Sequence, residues 1–69
     1  MKVDAERVRQ GRERLALSIE NASAQARVST QTWLRAEHDG ELRPSSVRRI
    51  AAALGVEPEE LLGKVLARA

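Results

Sequence analysis

One aromatic residue, Trp33, occurs in 69 positions, and any core this chain builds has to be organised around that side chain and a thin set of aliphatic ones. Eleven of the hydrophobic residues are Ala, against 8 Leu, 6 Val, 2 Ile and one Met. Such small residues let helices approach closely, and no stretch alternates apolar and polar residues long enough to make a strand, so an all-α fold is expected. At this length there is room for one domain, residues 1–69, with a core just large enough to hold it. There is no Cys, which excludes disulfides and cysteine-ligated zinc, and the lone His38 cannot build a metal site by itself. Neither a metal nor another cofactor is expected. Stability has to come from packing, helix caps or a second copy of the chain.

The 12 Lys and Arg exceed the 10 Asp and Glu by only two, but ten of the cations are Arg and they are unevenly placed. Residues 1–35 carry seven cations against four acids, 36–56 are balanced and 57–69 are net acidic. An anionic partner would therefore meet the first half. No apolar run approaches the ~20 residues of a membrane span. Residues 1–10 lack the apolar stretch of a signal peptide, so a soluble cytoplasmic protein with no membrane partner is expected. With no Cys, no His pair, no Gly-rich phosphate loop and too little chain to enclose a pocket, neither an enzyme nor a small-molecule site is expected.

Capping and breaking residues divide the chain into five short helices. The first is expected over 3–15, with Val3 or Ala5, Val8 and Leu15 as its apolar stripe and Gly11 interrupting it at a cost of roughly 1 kcal/mol relative to Ala. Ser18 reads as the N-cap of a second helix over 19–26, and Glu20 complements its positive end. Ser29 reads as the N-cap of a third over 30–37, with Trp33 and Ala36 facing inward and Thr30, Gln31, Leu34 and Arg35 pointing elsewhere. Pro44, Ser45 and Ser46 open a fourth helix with Val47, Ile50, Ala51 and Leu54 on one face, and Gly55 closes it. Pro58 sits in the first turn of a fifth, whose apolar side is Leu61, Leu62, Val65 and Leu66.

Two short helices separated by a few residues have to cross at a large angle for small inner residues to pack, which is helix-turn-helix geometry. Ala22 and Ser23 are the small residues this needs, and Ala26, Val28, Trp33 and Ala36 are the apolar ones. Leu17-Ser18 precedes the motif, Val28-Ser29 enters its second helix, Glu37 stands near its end and Pro44 follows a loop. Ala53-Leu54-Gly55-Val56 and then Pro58-Glu59-Glu60-Leu61-Leu62 form the most specific stretch. With these residues the chain, from 8 to 62, resembles the lambda-repressor-like helix-turn-helix domains of the Cro, cI and Xre type.

The resemblance implies a compact five-helix domain with its motif at 18–37, a dimerisation tail at 58–69, and a cytoplasmic, nucleoid-associated transcriptional regulator of bacterial or phage type. It implies a repressor that binds double-stranded DNA as a homodimer. It makes Thr30, Gln31, Thr32 and Arg35 candidate base readers in the major groove, Gln31 and Arg35 foremost. Ser18, Ser29, Arg43, Ser45 and Ser46 become phosphate contacts, and Arg12 and Glu37 a partly buried ion pair. The sequence departs from the family where Arg27 replaces a common turn Gly, where Ile19 replaces a frequent Gln, and where Asp39 and Glu41 bring negative charge to a loop near the expected DNA backbone. Gly11 fills a usually apolar slot for which Leu15 could substitute.

Plainer readings stand beside these. Trp33 is read as core rather than as a base-stacking residue. For Leu34, contact with a thymine methyl and simple exposure stand level. His38 reads as a solvated helix-end residue rather than a phosphate contact, and for Arg7, Arg9, Arg14, Arg48 and Arg49 a solvated face stands at least level with direct DNA contact. The alternative function is a protein-interaction module of the same fold, antitoxin-like or an accessory factor, with little direct DNA binding.

Overall fold

Each helix begins where a short polar side chain accepts from an unpaired N–H group of its first turn, or where a proline removes one of those donors. The computed structural model describes residues 1–62, and among these the fold is all-α, with five helices and one isolated β-bridge between Lys2 and Glu41. Helix α1 (Ala5–Arg14) starts behind Asp4, whose carboxylate accepts from the Glu6 N–H at 3.1 Å. Helix α2 (Ile19–Ala26) is capped by Ser18, which accepts from the Asn21 N–H at 3.0 Å. Helix α3 (Thr30–His38) is capped by Ser29. Helix α4 (Pro44–Leu54) carries Pro at its first position and ends at Gly55 with φ 72°, and α5 (Pro58–Leu62) opens on Pro58 with Glu59 and Glu60 in its first turn. No described helix is long and apolar enough to cross a membrane.

The core is built around Trp33, Ile50, Val8 and Val47, all essentially inaccessible to solvent, with Ala22, Ala26, Ala36 and Ala51 filling the narrow gaps. Helix α2 packs on α3 and α4, α3 on α1, and α5 on α4 and α1. The small residues at the buried side of α2 make this possible: Ala22 and Ala26 present only methyl groups, and the buried Ser23 donates its hydroxyl to the Glu20 carbonyl at 3.0 Å. A buried hydroxyl satisfied within its own helix leaves no unpaired group in the core.

Two expectations for the first helix need correction. It begins at Ala5, not Val3. Val3 is buried, but as part of an N-terminal strand-like arm: its N–H donates to the Gly40 carbonyl at 2.8 Å, and the Leu42 N–H donates to the Met1 carbonyl at 2.8 Å. Gly40 is required there, because its φ is +77° and a Cβ would lie 2.2 Å from the Val3 carbonyl oxygen. At the other end α1 stops at Arg14, and Leu15 is 45% exposed and not part of the apolar stripe. Leu15 does not substitute for Gly11; that slot is closed by Leu54, whose Cδ1 lies 3.0 Å from where a Gly11 Cβ would stand.

Ala16, in a left-handed conformation at φ 57°, turns the chain so that Leu17 packs against the core instead. The third helix runs one residue further than expected, through His38. Leu62 is partly buried and packs against the core. Val65 and Leu66, the other apolar residues expected on the last helix, lie outside the described residues.

Candidate nucleic-acid interface

A helix advances about 100° per residue, so the burial of Trp33 and Ala36 turns the opposite side of α3, centred on Gln31, Arg35 and His38, toward solvent. All three are exposed, as are Thr30 and Leu34, the latter by 51%. Thr32 does not share this outer face. It is half-buried on the flank toward α4, its N–H donates to Ser29 Oγ at 3.0 Å and its own hydroxyl accepts from Ser29 Oγ at 2.9 Å. The four expected base readers thus divide into three solvent-facing side chains and one engaged in the helix cap.

Beside Thr32 a groove of about 450 Å³ runs between α3, the turn Arg27–Ser29 and the start of α4. Arg27, Arg35, Arg43 and Arg49 line it together with Ser45 and Ser46, and no carboxylate does. None of these four guanidinium groups joins an ion pair among the described residues. Arg43 stands at the N-cap position of α4 without a side-chain cap, so the first N–H groups of that helix keep their positive ends open toward the groove residues Ser45 and Ser46. Cations gathered without a counter-charge repel one another, and an anion in the groove relieves that repulsion. Of the expected phosphate contacts, Arg43, Ser45 and Ser46 line the groove, Ser29 borders it through its bond to Thr32, and Ser18 is not among the lining residues.

The turn itself is strained. Arg27 has φ 60° and ψ 41°, a left-handed conformation that costs a non-glycine residue roughly 1–2 kcal/mol. Its carbonyl accepts from Arg49 Nη1 at 3.0 Å, which ties the turn to α4. The sequence carries no sign of this bond, because it spans 22 positions and has no local signal.

Behind α3 lies a different arrangement. Arg12 donates from Nε to Glu37 Oε2 at 2.6 Å and from Nη2 to Oε1 at 3.1 Å, and its Nη1 reaches the Leu17 carbonyl at 2.9 Å. Trp33 Nε1 donates to Glu37 Oε2 as well. The two charged side chains are 16% and 10% exposed. Hydrogen bonding to Glu37 raises the Arg12 pKa above its ordinary value, burial opposes that rise, and the Glu37 charge adds to it. This node fixes α3 to α1 and to the chain entering α2. The indole contribution was not foreseen, although Trp33 and Glu37 stand at the i, i+4 spacing that brings helical side chains together.

The two loop acids do not oppose an anion in the groove. Asp39 accepts from the Glu41 N–H at 2.9 Å, Glu41 pairs with the Met1 amine at 3.0 Å, and neither lines the groove. Among the described residues no three His, Cys, Asp or Glu side chains gather closely enough to hold a metal ion. No known protein family matches the chain, and no curated protein matches it significantly.

Proposed function

We propose that this chain is a sequence-specific double-stranded DNA-binding regulator of the lambda-repressor-like helix-turn-helix type, acting as a repressor and binding as a homodimer. The observation that carries the reading is the continuity between the exposed Gln31–Arg35 face of α3 and an acid-free groove lined by four arginines. An α-helix with its side chains is about 10–12 Å across, which suits insertion of α3 into a major groove about 12 Å wide. Gln31 can then bond adenine N6 and N7, Arg35 can grip guanine O6 and N7, and the Thr30 methyl can touch a thymine methyl. The groove cations, Ser45, Ser46 and the open start of α4 would hold the phosphate backbone and fix the register of α3 without reading sequence. Two copies would meet half-sites about 34 Å apart.

The test is the salt dependence of binding to duplex DNA. Neutralising four phosphates gives a slope of about −3.6 in log K against log salt, or about a 150-fold loss between 50 and 200 mM. Selection from random duplexes should then yield a motif that loses one position with Arg35→Ala. A flat salt response, or no enriched duplex, overturns the reading and leaves the outer face of α3 as a protein-docking surface. Sedimentation at micromolar concentration, with and without the selected duplex, tests the second copy.

A further inference from the structure

We infer that Arg27 grips a DNA phosphate and that Arg49 holds it in position, so that the chain gives up stability at this turn in exchange for affinity. The inference rests on the DNA-binding reading and extends it to two residues outside the motif's usual chemistry. Glycine would adopt the φ of 60° at this position without steric conflict. Arginine instead occupies it, is exposed, and among the described residues makes no ion pair and donates no side-chain hydrogen bond. Among the described residues nothing offsets the strain through that side chain. Backbone strain that local packing does not reward points to a role beyond the fold.

The surroundings give that role a chemistry. Arg27 shares its groove with Arg43 and Arg49, and the lining holds no acid. Arg49 donates one of its five N–H groups to the Arg27 carbonyl. The remaining donors of that planar fork stay free for a second acceptor. A phosphodiester oxygen pair is the acceptor that suits two adjacent guanidinium groups, because each can bind it in a charge-assisted, bidentate way. The bond from α4 thus does two things: it holds the left-handed turn against relaxation, and it keeps two cations on one side of the groove.

The experiment combines thermal denaturation with DNA binding on the full chain, using the duplex enriched by wild-type selection or, failing enrichment, a random duplex pool. Arg27→Gly is expected to raise Tm by a few degrees, because the strain is removed, while DNA affinity falls about fivefold or more and the salt slope shrinks by about one. Base preference should stay unchanged, since a phosphate contact reads no sequence. Arg49→Met is expected to lower both Tm and affinity, and to lower Tm less in the Arg27→Gly background, where glycine holds the turn unaided. If Arg27→Gly leaves affinity and salt slope as they were while wild type binds, the inference is wrong and the DNA reading survives. If Arg27→Gly lowers Tm, the exchange of stability for affinity is refuted. If wild type binds no duplex, the DNA reading fails and the phosphate role fails with it.

Discussion

Toward α1, the inner side of α3 meets Arg12 with the Glu37 carboxylate and closes the contact with the Trp33 indole; toward α4, the same helix adds Arg35 to a groove that already holds Arg27, Arg43 and Arg49. Arginine in the first place is consumed by the fold. In the second it has no counter-charge among the described residues. A net charge of +2 conceals this sorting, because the acids are spent on particular structural partners: Glu37 on Arg12, Glu41 on the Met1 amine, Glu6 on Arg9. The pairing therefore identifies which cations remain available to an outside partner better than the total does.

The largest test of this contrast is Glu37→Ala. It would leave the Arg12 guanidinium without its carboxylate and the Trp33 N–H without an acceptor, both in a largely buried site. Removing one partner of such a pair is expected to cost about 3 kcal/mol in urea denaturation, a large share of the stability available to a domain of this size. Arg12→Met should cost less, because Glu37 keeps the indole donor. The arginine end adds little pH dependence. Its folded pKa is raised, so its contribution is complete below the unfolded value and is lost only as pH climbs beyond it. If Glu37→Ala melts like wild type, the inner cluster is no more structural than the groove and the contrast fails.

Arg35→Ala is the opposite substitution, and its expected effect is on recognition alone. One base position should lose roughly 1–3 kcal/mol of discrimination in a competition binding assay, while the denaturation midpoint stays in place. Ser29→Ala falls between the two classes. Its hydroxyl caps α3 through the Thr32 N–H, so stability is expected to fall by about 1 kcal/mol, with a smaller drop in DNA affinity as the first turn of α3 loosens. An affinity loss larger than the stability loss would move Ser29 from the fold's side of the comparison to the partner's.

How far the sequence reveals this depends on whether the physics is local. Ser18, Ser29, Pro44 and Gly55 mark helix ends because each serves or ends its own turn, and Trp33 is recognisable as core because an inward aromatic has nowhere else to go in so aliphatic a chain. The pairing of Met1–Val3 with Gly40–Leu42 is different: it unites residues about forty positions apart in a single bridge, too short to leave an alternating pattern. Leu15 misleads for a related reason. The left-handed turn at Ala16 exchanges it for Leu17, and alanine gives no sign that such a turn is coming. The groove was legible only in part, as Arg43, Ser45 and Ser46 near a helix start, because Arg27 and Arg49 become neighbours only once α4 folds back on the turn.

The smallest predicted effect sharpens the comparison most. Among the described residues Ala16 and Arg27 are the two non-glycine residues with positive φ, at 57° and 60°; Arg27 is the C-cap of α2, and Ala16 follows Leu15, the C-cap of α1. They carry similar steric cost but differ in what the side chain can offer: a methyl group at Ala16, a guanidinium in the cationic groove at Arg27. Ala16→Gly should remove about 1 kcal/mol of strain and return about half of it through the greater freedom of glycine in the unfolded chain. A net gain of about 0.5 kcal/mol is then expected in denaturation, with DNA affinity and salt slope unchanged. The glycine substitution at Arg27 should give a similar gain and a loss of binding. Two turns of matched geometry with opposite outcomes in binding would separate the strain from the side chain. Equal binding by both variants would mean that the guanidinium at Arg27 is as idle toward DNA as the methyl at Ala16.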